Sequence, residues 1–344
     1  MHNKISILGL ILALFVHTAV LAAEDLLRPD HPDRYVVVEG DTLWGISGQF
    51  LRDPWLWPEI WHANPQIENP HLIYPGDVIT LVYIDGKPRL QVSRGKPTVK
   101  LSPEVRETPL HRAIPTVSLD AIRPFLTEPW VVSEAELEGA AYMVQSAGEH
   151  LIVGAGDRIY ARRIADPAVK RYSIVRGGEP YVDPVTEEVL GIEARYVGDA
   201  RLQRSGDPAT LEVTRSSVEA LIGDRLLPAS GDSFDANFHP RAPQQSIEGQ
   251  IIDVLGGVTQ IGRFAVVVIN RGEREGMEPG HVLSIWQRGE LVPDQVTDDR
   301  KDMVQLPDEH AGLLMVFRTF NKVSFALVMR ANTNIRVLDA VRNP

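Results

Sequence analysis

The stretch Tyr35–Val82 constrains the fold most tightly, because two glycine-aspartate breaks punctuate its apolar runs at a fixed separation. Tyr35-Val36-Val37-Val38 is aromatic and β-branched and favours a strand. Gly40-Asp41 ends that strand, and Asp41 or Thr42 offers an oxygen to a free N–H at the start of a helix. Leu43, Ile46, Ser47 and Phe50 then recur at i, i+3, i+4 and i+7, one face of a short helix. Asp53-Pro54 and Trp57-Pro58 suit a second helix start, since proline pre-sets φ and lacks only a donor that would be orphaned there. The spacing predicts that helix over Pro58–Asn64, with Ile60 and Trp61 facing inward and Asn64-Pro65 ending it. In Leu72-Ile73-Tyr74-Pro75-Gly76-Asp77, Pro75-Gly76 fits a type II turn, and Val78–Val82 is a returning strand. The result is a βααβ unit with two glycine loops side by side. At roughly fifty residues it needs a dense core.

The pairing of Gly40-Asp41-Thr42-Leu43-Trp44 with Leu72–Asp77 resembles the LysM family, whose members bind N-acetylglucosamine polymers such as peptidoglycan. The resemblance implies a shallow glycan groove between the loop after the first strand and the loop before the second. N-acetyl groups would be held there largely by backbone amides. Gly40, Asp41, Thr42 and Leu43 would form one side and Ile73, Tyr74 and Pro75 the other, while Asn64 and Pro65 match the Asn-Pro after the second helix. Gly40 and Gly76 are turn residues whatever the groove binds. The link Leu51–Trp57 departs from the family in being aromatic, which makes it a candidate protein-facing surface. Four of the six tryptophans lie in this unit, Trp44, Trp55, Trp57 and Trp61. They either stack on sugar faces, or fill the core and cover a partner.

The start of the chain reads as a secretory signal over residues 1–23: Lys4, the apolar run Ile5–Val16, then Leu21-Ala22-Ala23. The run is too short to favour a permanent membrane span. The expected location is therefore the periplasm. The chain has no cysteine, so neither disulfides nor a lipidated cysteine support it. A net charge of −11 disfavours nucleic-acid binding.

The 344 residues suggest two to three domains. The reading is multidomain: a small α+β (βααβ) module over 33–84 followed by predominantly β domains. A Pro-containing linker is placed at 85–117, a β-rich middle domain at 118–228, a loop or boundary at 229–246 and a C-terminal β domain at 247–344. The linker is basic, with Lys87, Arg89, Arg94, Lys96, Lys100, Arg106 and Arg112, and it either stays solvated or lies on an acidic polymer or partner. A short helix is expected over Leu119–Leu126 and another over Ser217–Ile222. Strands are expected at Leu151–Val153, Arg158–Ala161, Arg171–Val175, Val189–Tyr196 and Ala209–Val213 in the middle domain. In the last domain they are expected at Ile251–Leu255, Phe264–Ile269, Val282–Trp286, Gly312–Arg318 and Val323–Met329. Pro75-Gly76-Asp77, Gly156-Asp157 and Pro279-Gly280-His281 each place a turn before a strand, which local turn chemistry explains without a duplication.

Asn270-Arg271-Gly272, Gly276–Leu283 and Gly312–Arg318 are similar to a pattern of exported β-domains related to the C-terminal part of a flagellar collar protein. The order of signal, LysM module, linker and such a domain resembles the secretin-associated proteins of type IV pili. That resemblance implies a non-catalytic tether between peptidoglycan and an outer-membrane secretin or related envelope complex. The alternative is a LysM-targeted cell-wall hydrolase or remodelling enzyme with its site in residues 130–344. The sequence offers such an enzyme little. Without cysteine there is no thiol nucleophile. H-E-x-x-H, H-x-H and G-x-S-x-G are absent, and Ser93-Arg94-Gly95-Lys96 lacks the partner motifs of an S-x-x-K acyltransferase. The ten histidines are scattered, with His62, His71, His281 and His310 read as surface or turn residues. Glu187-Glu188 and Asp298-Asp299 are adjacent, so on a strand their side chains diverge. No catalytic residue, metal or cofactor is expected.

Overall fold

The computed structural model describes residues 26–61, 72–93, 113–117, 122, 131–148, 152–229, 238–255, 261–294, 296 and 303–344. The signal segment, Asn64-Pro65, His62, His71, most of the basic linker and the helix expected at Leu119–Leu126 lie outside them, Ile122 apart. The chain forms two compact units, Met1–Leu119 with Asp235–Arg241, and Asp120–Phe234 with Ala242–Pro344.

The first unit follows the βααβ reading and extends it. Strand β1 (Arg34–Val36), a helix Leu43–Phe50, a 3-10 turn Pro54–Leu56, a helix Trp57–Ile60, β2 (Val78–Ile84) and β3 (Lys87–Ser93) succeed one another. The sheet order is β1-β2-β3. The first helix buries Leu43, Trp44, Ile46, Ser47 and Phe50, the face its spacing predicts. The second helix begins at Trp57 rather than Pro58. It stops at Ile60 because Trp61 turns extended, at φ −71° and ψ 119°. Strand β3 falls where the sequence reading began a linker. Asp85 and Gly86, at φ 52° and 74°, make a two-residue turn that seats Lys87 opposite Ile84. Asp-Gly suits this turn because both positions need positive φ. Pro88 is tolerated because β3 is an edge strand, while Leu90 and Val92 point into the core. Trp44 and Trp57 are buried, so these two rings serve the core. Trp61 packs edge-on to Trp57 with centroids 5.7 Å apart.

The second unit holds two six-stranded barrels of one topology. The first uses β5 (Ala141–Ser146), β6 (Arg158–Arg162), β7 (Arg171–Val182), β8 (Val189–Arg204), β9 (Ala209–Ser216) and β10 (Arg225–Pro228). Strand β9 pairs with both β6 and β8, which closes the ring β5-β6-β9-β8-β7-β10. The short strand β4 (Val131–Val132), followed by the helix Glu134–Gly139, adds to the outside of β8. The second barrel closes as β11-β12-β17-β16-β13-β18. Its strands are β11 (Glu248–Leu255), β12 (Val266–Ile269), β13 (Val282–Gln287), β16 (Glu309–Thr319), β17 (Ser324–Ala331) and β18 (Ala340–Arg342). A ribbon of β14 (Leu291–Pro293) and β15 (Met303–Gln305) extends between β13 and β16. Counted along the chain, both rings run first, second, fifth, fourth, third, sixth.

The correspondence reaches single residues. An isolated bridge joins Val153 to Ala220 in one barrel and Ile261 to Ile335 in the other. Gly198 on β8 and Gly312 on β16 hold the same register, and bulges follow each at matching places. The N–H groups of Ser217 and Val218 donate to Val197 O, and those of Asn332 and Thr333 donate to Ala311 O. These bonds also explain why Ser217–Ile222 is not the expected helix. The two barrels are therefore structural repeats, which turn chemistry alone does not account for.

The barrels are fastened to each other. The β7–β8 hairpin projects beyond its barrel and places Asp183 and Glu188 on the second one. Asn270, itself buried, donates to Asp183 at 2.8 Å and accepts from the Gln250 N–H at 2.6 Å. Glu188 receives both ends of the Arg274 guanidinium at 2.9 Å and Lys322 at 2.7 Å. Hydrogen bonds from Arg274 and then Lys322 hold the Glu188 carboxyl down at about 2. Burial alone would raise the Asp183 carboxyl, but the amides of Thr186 and Val185, the Asn270 amide and the Arg271 charge outweigh it and leave it lowered.

Candidate functional site

The two glycine loops of the first unit are the same turn used twice. In Val38–Asp41 the Asp41 N–H donates to Val38 O, and in Tyr74–Asp77 the Asp77 N–H donates to Tyr74 O. Gly40 and Gly76 take the third position at φ +91° and +95°, where a Cβ is strained. Each aspartate then reaches back: Asp41 Oδ2 accepts from Val38 N at 2.8 Å and Asp77 Oδ2 from Tyr74 N at 3.0 Å. The loops are tied together by Gly76 N to Val37 O at 2.8 Å and Val37 N to Asp77 O at 2.9 Å. Asp41 also accepts from the Tyr35 hydroxyl at 3.1 Å. Burial and that carboxylate together push the Tyr35 hydroxyl above its ordinary range.

Thr42 caps the first helix, its Oγ1 accepting from Gly45 N at 3.0 Å. That leaves the N–H groups of Leu43 and Trp44, orphan donors of the helix start, directed out of the helix. Both are taken by the chain itself. Leu43 N donates to Pro115 O and Trp44 N to Thr116 O, each at 3.0 Å. On the other side, Ile114 N donates to Ile73 O at 2.8 Å. Residues 113–117 thus span the two loops, with Ile114, Thr116 and Val117 buried.

The structure therefore brings Leu43 and Ile73 together through their backbones, while their side chains lie in the core. Gly40, Asp41 and Thr42 shape the first loop, and Tyr74 and Pro75 shape the second. Asn64 and Pro65 fall outside the described residues. The sequence reading missed the Trp44 N–H and residues 114–116, which it had assigned to the linker. Apolar Ile114 and Val117 at the end of the proline-containing stretch were the available sign that this piece packs.

Two N–H donors facing one C=O acceptor are complementary to amide groups, each of which offers one carbonyl and one N–H. A peptide bond has that pattern, and so does the acetamido group of an N-acetylated sugar. Among the described residues no cluster of three or more His, Asp or Glu is placed to hold a metal ion, and no helix is long and apolar enough to cross a membrane. No curated protein matches the chain. Residues 35–82 match the LysM domain family, so the first unit carries a LysM domain, a module that binds peptidoglycan and related glycans.

Proposed function

We propose that this protein is a non-catalytic, periplasmic peptidoglycan-binding tether that fastens an envelope machine, the secretin ring of a type IV pilus, to the cell wall. The observation that carries the wall-binding half is the LysM domain at residues 35–82, with amide-complementary backbone at Leu43, Trp44 and Ile73 between its two turns. Gly40, Asp41 and Thr42 line one side of the glycan groove, and Tyr74 and Pro75 line the other. Asn64 and Pro65 are assigned to it from the family pattern. The tethering half rests on the order of segments and on the second unit, whose joined barrels offer a surface for a protein partner. A shallow groove buries little sugar surface and binds weakly. Copies arrayed on a ring would hold the wall through effective concentration and still release as it is remodelled.

Incubating the purified protein with peptidoglycan sacculi tests both parts. Co-sedimentation without soluble muropeptides is expected. Released muropeptides would replace the tether with a wall hydrolase, and a protein left wholly in the supernatant would remove wall binding. Co-purification from an envelope extract is expected to recover a secretin.

A further inference from the structure

The geometry points to a LysM groove that is closed by its own chain: residues 113–117 occupy the glycan position, and sugar binding requires that they leave. This rests on reading the groove between the two turns as the glycan site. The three bonds that seat the segment are those an acetamido chain would use. Pro115 O and Thr116 O stand where sugar acetyl carbonyls would meet Leu43 N and Trp44 N. Ile114 N stands where an acetamido N–H would meet Ile73 O. Each of these groove groups is engaged in one good hydrogen bond at 2.8 to 3.0 Å, and neither N–H can serve a second acceptor equally well. Occupancy by segment and by sugar is therefore mutually exclusive at these atoms.

The segment is held by more than these bonds. Ile114 joins the core formed by Ile73, Ile79, Leu43 and their neighbours, and Val117 is fully buried. Because it belongs to the same chain, it returns to the groove without the entropic penalty that a free ligand meets. The apparent sugar affinity is then the intrinsic affinity multiplied by the fraction of molecules with the groove open. Anything that draws residues 113–117 away raises that fraction, and a bound glycan in turn frees this stretch of chain.

The test compares the full chain with a variant carrying Ile114→Asp and Val117→Asp, using chitotetraose in solution and sacculi in co-sedimentation. Two buried charges should expel the segment while leaving the backbone of the groove intact. The variant is expected to bind chitotetraose at least tenfold more tightly, equivalent to about 1.4 kcal/mol. Equal or weaker binding by a folded variant overturns the closure. Amide exchange on the unaltered chain covers the case in which the variant does not fold. At saturating chitotetraose the Ile114 N–H should exchange faster while Leu43 and Trp44 stay protected. If Ile114 keeps its protection with sugar bound, the closure is wrong and the glycan reading stands. If neither chain binds chitotetraose or sacculi, the glycan reading falls and takes the closure with it.

Discussion

Replacing Gly312 with alanine should cost the second barrel about 3–4 kcal/mol, and replacing Gly198 should cost the first barrel the same. A methyl at Gly312 would overlap the Arg330 carbonyl oxygen and lie 3.1 Å from its carbon and 3.3 Å from the Ala331 Cα. At Gly198 it would overlap the Arg215 carbonyl oxygen in the same way, 3.2 Å from the carbonyl carbon and from the Ser216 Cα. The obstacle is backbone of the paired strand, so no side chain can swing aside. A relaxed carbon–oxygen contact needs about 3.3 Å, so the strands must part by roughly 1 Å. Overpacking of this kind costs about 1–3 kcal/mol. Stretching one or two ladder bonds adds roughly 1 kcal/mol each. The built-in controls are Gly154→Ala and Gly262→Ala, also a corresponding pair. Nothing lies within 4 Å of the added methyl there and φ is ordinary, so each should stay within about 0.5 kcal/mol of the parent. Urea denaturation of the full chain, with exchange followed in peptides covering 196–216 and 310–331, reads both barrels separately. If Gly312→Ala is as harmless as Gly262→Ala, the steric argument fails. If Gly198→Ala and Gly312→Ala differ by more than about 2 kcal/mol, the equivalence of the two barrels at this bulge fails.

Three further outcomes are expected. Leu338 sits at φ +76° where the corresponding turn of the first barrel has Gly223, and it is 53% exposed, so Leu338→Gly should raise stability by roughly 0.5–1 kcal/mol in the same denaturation assay. Asn270→Ala should destabilise the second unit by about 2–4 kcal/mol, because it strips a buried partner from both the Asp183 carboxylate and the Gln250 N–H. Glu188 has its carboxyl lowered from 4.5 to about 2, so its contribution is complete above the higher value and disappears as pH falls through the lower one. Acid titration should therefore loosen the fastening between the barrels over that window, and Glu188→Gln should flatten this part of the stability profile.

Much of the fold was legible because its determinants are local. The face of Leu43–Phe50 and the positive φ at Gly40 and Gly76 follow from residues within one turn of each other. What escaped was long-range or was outvoted locally. Asp85-Gly86 signals a hairpin, but the prolines that follow read as a linker, and only pairing with β2 decides in favour of β3. Ser217–Ile222 has helical composition, yet Val197 O captures its first N–H groups from a distant strand. The barrel repeat leaves little trace in sequence. The halves share Gly198 with Gly312, Arg215 with Arg330 and Asp224 with Asp339, while the loops between them change the offset. The same ring order needs no shared side chains beyond turn, bulge and core positions.

The glycine-aspartate motif that first marked the groove turns out to be a general device of this chain. The same turn recurs at Gly154–Asp157, Leu221–Asp224, Glu278–His281 and Arg336–Asp339, each with the fourth residue's N–H bonded to the first residue's carbonyl and its side chain accepting the first residue's N–H. Those four precede barrel strands, so the motif by itself launches strands and recognises nothing. All six turns but Val38–Asp41 bond a partner strand through the N–H of the third residue and the C=O of the fourth; what separates Tyr74–Asp77 is that this partner is Val37, which leads straight into the Val38–Asp41 turn beside a helix start. Two N–H groups outside the helix ladder and one carbonyl, all three bonded to residues 114–116, are thereby gathered into a single cleft. In the groove we propose, recognition belongs to main-chain atoms, and side-chain changes at Asp41 or Thr42 act on it through the turn and the cap. An amide-reading cleft of this kind cannot distinguish a sugar's acetamido group from a peptide bond by hydrogen bonding alone, which is why the chain's own Pro115 and Thr116 can fill it.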